Sequence, residues 1–228
     1  MYVTEIFKSI QGEGTRAGLP CIFVRLTGCN LRCTWCDTEY AFHGGQKMSV
    51  EDVLERVEAL NRRWDGAPTG VPLVELTGGE PLLQEEIYAL AEHLLAAGYT
   101  VMIETSGERF IGKLPKDAIR IVDVKCPDSG AGNTFDVRNV PVLNDKDEVK
   151  FVISSRRDYE FARDFTRRHH LEDCVHAVLF SPVHEDPKGK WQGLEPRKLV
   201  EWMLEDSLGA RLGLQLHKMV WDPATRGV

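Results

Sequence analysis

The chain has 228 residues, of which 43% are hydrophobic and 28% are charged, as is usual for a globular protein with a substantial core. Its formal net charge of −7 disfavours nucleic acid or an anionic membrane surface as a direct partner. The sequence has no apolar run that could span a bilayer, no secretory signal over Met1–Lys8 and too few cysteines for a disulfide scaffold, so we expect a cytoplasmic enzyme.

Strand-like apolar runs alternate along the chain with segments of helical periodicity. The predicted strands lie at 21–26, 73–76, 100–104, 120–124, 148–153, 177–180 and 212–216. The predicted helices lie at 50–60 behind an N-cap at Ser49, at 83–97 before Gly98, at 158–169 and at 195–204.

This alternation favours parallel strand pairing through right-handed crossovers. The segment 107–118 is too short and broken for a full helix, so we expect at least one reduced crossover. We therefore predict an α/β fold that is a partial, splayed (β/α) barrel, with one domain over residues 1–228.

Polar residues collect at the carboxyl ends of the predicted strands, where such barrels bind their ligands. These residues are Thr77, Glu104, Asp123, Lys125, Ser181 and His217. Arg25 and Lys150 lie inside apolar strands, and a guanidinium on an inward face is costly unless an anion meets it. Any one of these side chains could simply reach water at a strand end. Their corresponding positions favour a shared pocket.

Three closely spaced cysteines, Cys29, Cys33 and Cys36, carry the strongest chemical signal. A cubane cluster of four irons wants four ligands, so three cysteines leave one iron open for a small molecule. A closed zinc site also needs four ligands, and no second cysteine pair or suitably spaced histidine pair supplies them. We favour an open iron–sulfur cluster, with a zinc site or a chance grouping as the alternatives.

The turn Gly78-Gly79-Glu80-Pro81 directly follows a predicted strand. Its glycines allow backbone groups to approach a ligand closely, and Pro81 suits the start of a helix. Alone, the turn could be only a tight strand-to-helix connection. Next to an open cluster, it is a candidate clamp for a ligand on that cluster.

The cysteine spacing, Trp35 before the last cysteine and the glycine turn together resemble the radical S-adenosylmethionine (SAM) enzymes. The resemblance implies the partial barrel of that superfamily and one 4Fe-4S cluster per chain on Cys29, Cys33 and Cys36. It also implies that SAM binds the fourth iron and is cleaved there to the radical that takes a hydrogen atom from the substrate.

A closer resemblance covers nearly the whole chain. The segments 5–7, 9–14, 23–25, 36–38, 104–107 and 226–228 are similar to those of the 7-carboxy-7-deazaguanine synthase family of the queuosine pathway. That resemblance implies a carbon–nitrogen lyase that contracts the ring of 6-carboxy-5,6,7,8-tetrahydropterin and expels ammonia, which supplies a precursor for tRNA modification. It further implies a flavodoxin or ferredoxin as electron donor and a homodimer.

The same resemblance assigns roles to individual positions. It implies that Thr38 binds Mg²⁺, although a threonine here could instead cap a loop. The implied substrate-binding residues are Ile10, Gln11, Gly12, Glu13, Arg25, Thr77 and Val228. The implied cofactor-binding residues are Trp35, Cys36, Asp37, Gly79, Glu104, Ser106, Asp123, Val124, Lys125, Ser181, Pro182, Val183 and His184. The cluster would lie on the loop 27–38, and the tail 217–228 would close the active site.

Two other functions share part of this pattern. A radical SAM activase that installs a glycyl radical on a partner protein would have the same cysteines and glycine turn, but would not require the segment 11–14, Arg25 or Thr38. A non-enzymatic metal-binding module would use the cysteine loop to recognise a protein or nucleic acid. The acidic net charge and the missing fourth ligand disfavour that module.

Overall fold

An open sheet organises residues 1–62, 66–67, 70–223 and 225–228, which are the residues that the computed structural model describes. Its nine strands run in the order β3-β1-β2-β4-β5-β6-β7-β8-β9. Their bounds are Tyr2–Ile10 (β1), Pro20–Leu26 (β2), Gln46–Lys47 (β3), Leu73–Gly78 (β4), Thr100–Thr105 (β5), Ile119–Asp123 (β6), Glu148–Ile153 (β7), Ala177–Pro182 (β8) and Arg211–Leu212 (β9).

The pairing within the sheet explains its splayed shape. From β2 to β9 all neighbouring strands are parallel, whereas β1 runs antiparallel to both β2 and β3. Among the described residues the edge strands β3 and β9 do not pair with each other, so the barrel is not closed. This confirms the predicted partial, splayed barrel.

The crossovers between parallel strands differ in size. The α-helices are Val50–Leu60 (α1), Glu86–Ala96 (α2), Arg156–Arg168 (α3), Leu171–Cys174 (α4), Pro196–Glu205 (α5) and His217–Val220 (α6). Only short 3₁₀ turns connect β5 to β6 and β6 to β7, which confirms the prediction of reduced crossovers. Ser49 is the N-cap of α1, where it forms a capping box with Asp52. No helix of the described ranges has both the length and the apolar character needed to cross a membrane.

Two hydrophobic clusters divide the interior. The larger one fills the space between the sheet and helices α1, α2, α3 and α5. The smaller one lies near the amino ends of the strands on the inner face of the sheet, and its members are Cys21, Phe23, Leu73, Met102, Ile119 and Ile121, with Phe7 packed against them. This apolar plug leaves the inner face at the carboxyl ends free for polar groups.

The two ends of the chain differ most from the sequence prediction. The strand β1 was not predicted, and the predicted strand at 212–216 is reduced to Arg211–Leu212. After β9, Gly213 passes so close to the hydroxyl of Ser181 that a Cβ there would overlap it. The chain then leaves the sheet, because the Leu216 N–H donates to the carbonyl of Gly12 at 2.8 Å. His217 consequently begins α6 and does not end a strand.

Candidate functional site

A cavity of about 730 Å³ opens at the carboxyl ends of the parallel strands. It brings together residues from both halves of the chain that the sequence analysis assigned to one site. The predicted residues that line it are Ile10, Gln11, Gly12, Glu13, Arg25, Cys29, Cys33, Trp35, Cys36, Asp37, Thr38, Thr77, Gly79, Glu104, Ser106, Asp123, Lys125, Ser181, Pro182, Val183, His184 and Val228.

Val124 is the predicted site residue that does not line the cavity. Its side chain is buried in the larger hydrophobic cluster. Side chains alternate between the two faces of β6, and this alternation continues at Val124, directly after the strand, so Val124 points away from the cavity. Its N–H donates to the carbonyl of Lys150 at 2.8 Å. Any contact between Val124 and a ligand would therefore have to involve its own carbonyl oxygen.

The loop 27–38 is held from three directions by backbone hydrogen bonds. Gly28 donates to Ala41 and accepts from Glu80, at 2.8 and 2.9 Å. Thr34 donates to Ser129 at 2.8 Å, in the 3₁₀ turn that follows β6. Within the described residues the three cysteines form no disulfide; they are partly exposed and face the same cavity.

The glycine turn packs directly against this loop. A Cβ at Gly79 would overlap the Gly28 carbonyl and the Cβ of Cys29, so a larger residue cannot occupy this position without moving the loop. Glu80 fixes the other side of the turn. Its fully buried carboxylate accepts hydrogen bonds from Thr105, from Leu82 N–H and from both the N–H and the hydroxyl of Ser106, at 2.7–3.0 Å. The sequence around Glu80 did not indicate this bridging role, because Thr105 and Ser106 lie far from it along the chain.

Arg25 points into the cavity and has an anionic neighbour that the sequence analysis missed. Glu5 lies opposite Arg25 in the β1–β2 register and accepts from Arg25 Nε at 2.8 Å. The Tyr40 hydroxyl donates to the same Glu5 oxygen at 2.7 Å. Glu5 engages only Nε, and among the described residues the two terminal nitrogens of the guanidinium have no hydrogen-bond partner, so they can bind a second anion.

The loop after β1 is anchored from below by two buried carboxylates. Gln11 donates through its side chain to Glu75, and its side-chain oxygen accepts from Glu13 N–H at 3.0 Å. Glu148 accepts from the N–H and the hydroxyl of Thr15, at 3.2 and 2.6 Å, and from Arg16 at 3.1 Å. These contacts fix the loop to β4 through Glu75 and to β7 through Glu148.

Lys150 lies at the centre of the charged part of the cavity. Its ammonium donates to Glu13 at 2.9 Å and to Glu104, and it lies 3.7 Å from Asp123 Oδ2. Asp123 Oδ2 also accepts from Lys125 at 2.8 Å, whereas Asp123 Oδ1 is buried and has no hydrogen-bond partner among the described residues.

These charges shift the pKa values of the carboxyl groups in opposite directions. Burial alone would raise the pKa of Glu13, but the charge of Lys150 and the hydrogen bonds from Gln215 and Lys150 together outweigh it and lower the pKa to about 2. Burial raises the pKa of Glu75 to about 8, and the charges of Glu104 and Glu13 add to that effect. Glu75 is thus protonated at neutral pH, while Glu13 is ionised.

The C-terminal segment covers the loop after β1 and the end of the cysteine loop. A Cβ at Gly12 would overlap the ring of His217. Lys218 donates to Asp37 at 2.7 Å, and Asp37 in turn accepts from the Thr38 hydroxyl at 2.9 Å. Val228 reaches the cavity wall, whereas Ala224, within the predicted tail, lies outside the described residues.

The segment after β8 forms the remaining wall. Val183 is buried and donates to the Ile153 carbonyl at 2.9 Å, which fixes the direction of the chain as it leaves the sheet. The His184 carbonyl accepts from the indole of Trp191 at 2.9 Å. Across the cavity mouth, Lys190 lies 3.2 Å from Glu39.

The donor atoms fit a cluster and SAM. The three thiols surround one end of the cavity beside a glycine turn that leaves no room for a side chain. The unpartnered Asp123 oxygen needs a hydrogen-bond donor such as a ribose hydroxyl or an amino group. No group of three or more His, Cys, Asp or Glu side chains within the described ranges could hold a single metal ion. A cluster does not require such a group, because each cysteine binds a different iron.

The hydroxyl of Thr38 and the carboxylate of Asp37 are hard oxygen donors, as Mg²⁺ prefers. They supply fewer ligands than an octahedral ion needs. They therefore fit only a site that oxygens of a bound ligand and water would complete.

A comparison with protein families matches residues 23–127 to the radical SAM superfamily. The chain is 53% identical, over the whole length of both chains, to a 7-carboxy-7-deazaguanine synthase of Koribacter versatilis. It is 39% identical to the synthase of Chlorobaculum tepidum, over 99% of this chain and 96% of that one.

Solved structures support the same relationship. The crystal structure of QueE from Escherichia coli matches with a TM-score of 0.72 at 25% identity, over 95% of this chain and 94% of that one. A radical SAM methyltransferase from Sphaerobacter thermophilus matches with a TM-score of 0.62 at 14% identity, which shows a shared fold. From the full-length identity and the radical SAM match we conclude that this chain belongs to the 7-carboxy-7-deazaguanine synthase family of radical SAM enzymes.

Proposed function

We propose that this chain converts 6-carboxy-5,6,7,8-tetrahydropterin to 7-carboxy-7-deazaguanine with loss of ammonia, in the biosynthesis of 7-deazapurines. The observation that carries the proposal is the meeting of three groups in one cavity: the cysteine loop, the glycine turn and the loop 10–14 with Arg25. A glycyl-radical activase or a metal-binding module would not need the last group. Full-length identity to synthases also disfavours both alternatives.

The cluster and SAM would occupy the end of the cavity formed by the cysteine loop, β4, β5, β6 and β8. Cys29, Cys33 and Cys36 would hold the cluster, which together with SAM supplies hydrogen abstraction when bound. The groups proposed to contact SAM are those of Trp35, Cys36, Asp37, Gly79, Glu104, Ser106, Asp123, Lys125, Ser181, Pro182, Val183 and His184. Among them, Ser106 already donates its hydroxyl to Glu80, so it would contact SAM mainly as an acceptor.

The pterin would lie over the loop after β1. Ile10, Gln11 and Gly12 would offer backbone groups to its heterocycle. The Gln11 side chain is occupied by Glu75 and Glu13 N–H, and the Gln11 N–H donates to Leu19. The carbonyls of Gln11 and Gly12 accept from Gly18 and Leu216, so each would accept a second hydrogen bond from the pterin. The free nitrogens of Arg25 would bind the carboxylate of the substrate as a planar fork. Glu13, Thr77 and the Val228 terminus would complete the substrate pocket.

Burial of both ligands is the main contribution of the protein to the chemistry. The apolar plug below and the C-terminal segment above would exclude water and stray hydrogen donors, from which a radical must be shielded. We further propose that Mg²⁺ binds Thr38 with oxygens of the substrate and water, and that a flavodoxin or ferredoxin supplies the electron. We also propose that the enzyme is a cytoplasmic homodimer.

The test is anaerobic reconstitution with iron and sulfide, followed by incubation with the carboxypterin, SAM and a strong reductant. We expect 7-carboxy-7-deazaguanine and an equal amount of ammonia, measured by chromatography with mass spectrometry and by an ammonia assay. A reconstituted protein with full cluster content that yields no deazaguanine would refute the proposal. Omission of Mg²⁺ and its replacement by Ca²⁺ test the role of Thr38.

A further inference from the structure

Lys150 is buried in the middle of β7 and has no role in the function described above. Its side chain is 7% exposed. A buried ammonium is costly unless it is paired, and Lys150 is paired three times. The three carboxylates come from three separate parts of the chain: Glu13 from the loop after β1, Glu104 from β5 and Asp123 from β6.

The three partners divide between the two ligands. Glu13 belongs to the loop that would carry the pterin, whereas Glu104 and Asp123 belong to the strands that would carry SAM. Among the described residues, Lys150 is the cation that forms an ion pair with a carboxylate on each side. Lys125 lies 2.8 Å from Asp123 but has no ion pair with Glu13. The ammonium therefore joins the two halves of the cavity.

The contacts continue beyond Glu13 toward the cysteine loop. The second oxygen of Glu13 accepts from Gln215 at 2.9 Å, and Gln215 accepts from Lys218 at 2.7 Å. Lys218 donates to Asp37, next to Thr38. A displacement of Glu13 would thus move contacts both at Asp123 in β6 and in the loop that follows the last cysteine.

We propose that Lys150 is a positioning residue that makes the binding of the pterin and of SAM interdependent, an inference that rests on the proposed function. A ligand that orders Glu13 also orders Lys150, and through it Glu104 and Asp123. The second ligand then meets groups that are already in place and binds with a smaller loss of conformational entropy. The pKa of Lys150 agrees with this arrangement: burial would lower it, but Glu104 and Glu13 raise it well above its usual value, so the ammonium stays charged.

The experiment measures binding of SAM to the reconstituted, oxidised enzyme without reductant, with and without saturating 6-carboxy-5,6,7,8-tetrahydropterin. We expect the pterin to tighten SAM binding about tenfold in the wild-type enzyme, and SAM to tighten pterin binding by the same factor. In Lys150→Met this factor should fall to about one. If Lys150 had a purely structural role, Lys150→Met would weaken both affinities but leave the tenfold factor unchanged.

Three further variants keep the test decisive. Lys150→Arg retains the charge and should keep part of the factor. Glu13→Gln removes one contact of the ammonium and should lose the factor even where Lys150→Met does not fold. Lys146→Met is the matched control, because Lys146 is a partly exposed lysine whose ion pair with Asp117 at 3.7 Å lies outside the cavity.

The outcomes separate this inference from the proposed function. A tenfold factor in the wild type that disappears in Lys150→Met and Glu13→Gln supports the inference. An enzyme that forms the deazaguanine but shows no interdependence, or keeps it in both variants, would overturn the inference alone. An enzyme that neither binds the pterin nor forms the product would overturn the proposed function and the inference with it.

Discussion

The neighbouring strands β6 and β7 carry buried charges at both ends, and the two ends satisfy those charges differently. At the amino ends Arg120 pairs with Asp147 at 2.7 Å, and Asp147 also accepts backbone hydrogen bonds from Arg120 and Asn144. Toward the carboxyl ends, Lys150 shares its charge among three carboxylates, one of which, Asp123, keeps an unpartnered oxygen among the described residues.

Each end leaves one buried polar atom without a partner within the described ranges, Arg120 Nε and Asp123 Oδ1. Only Asp123 lies on the cavity wall, where a ligand can supply the missing donor. The difference teaches that the same pair of strands pairs its charges with each other at one end and leaves a charged group open to a cavity at the other. This division is expected where ligands bind at the carboxyl ends of parallel strands.

The largest expected effect is the loss of a cysteine from the cavity at the carboxyl ends. We expect Cys33→Ala to abolish product formation and to lower the iron content and the absorbance near ~400 nm. The free energy of unfolding of the metal-free protein should change by no more than about 1 kcal/mol, because Cys33 is partly exposed. Cys174→Ala, which replaces an exposed cysteine outside the cavity, is the control. Product formation by Cys33→Ala would contradict the assigned cluster site.

The opposite result is expected at the amino ends. Asp147→Ala leaves the buried guanidinium of Arg120 unpaired and should lower the free energy of unfolding by about 3–5 kcal/mol. Urea denaturation measures this change, while SAM and pterin affinities of the folded variant should stay close to wild type. Asp117→Ala, at a position 91% exposed, should cost less than about 0.5 kcal/mol. If Asp147→Ala lost affinity for SAM or the pterin but kept wild-type stability, the two ends of the strands would not differ in the way described.

Glu75 tests the protonation of the cavity floor. Its pKa is about 8 in the folded protein, against an ordinary value of 4.5 for a solvated glutamate, so the folded protein binds more protons than the unfolded chain between these values. Stability should therefore fall as the pH rises from about 4.5 to about 8. Glu75→Gln should remove this slope and stabilise the protein at pH 9 by on the order of 2 kcal/mol. Denaturation curves across this pH range measure the slope, and Glu51→Gln, at an exposed position, is the control. If Glu75→Gln kept the wild-type slope, as the control should, the raised pKa of Glu75 would be disproved.

The smallest expected effect concerns Arg25. Arg25→Lys keeps the charge next to Glu5 but loses the planar fork, and should weaken pterin binding about tenfold or more. Equilibrium binding of the carboxypterin should show this loss, whereas tetrahydropterin without the carboxylate should bind both proteins equally. An equal loss for both ligands would show that Arg25 does not bind the carboxylate.

Local sequence patterns predicted most of the parallel part of the fold. Strand β7 was predicted with its observed bounds, and the N-cap at Ser49 was also correct, because both depend on nearby residues. Strand β1 was missed since its evidence is its antiparallel pairing with β2, although its β-branched and aromatic residues were a usable signal. The end of the chain was misjudged because contacts with Gly12 and Ser181 end strand β9 early.

The site shows the same limit. The cysteine spacing is local, so the residues proposed to hold the cluster could be named from the sequence. The side-chain partners of Arg25, Glu80 and Lys150 lie between 20 and 137 positions away along the chain, and no periodicity shows them. A carboxylate such as Glu75 inside an otherwise apolar strand was the available signal for the buried network, and it was overlooked.

The irregular step in β1 makes the length of that strand a determinant of the cavity wall around Arg25. Strand β1 shifts its register against β2 between Val3 and Glu5, and beyond that step Glu5 faces Arg25. Because side chains alternate along a strand, deletion of one residue from β1 would exchange its two faces and remove the carboxylate that orients the guanidinium. A substitution at Glu5 would weaken one contact, whereas an insertion or deletion would misalign every side chain of the strand. Natural variation in the first strand should therefore change residues far more often than it changes length.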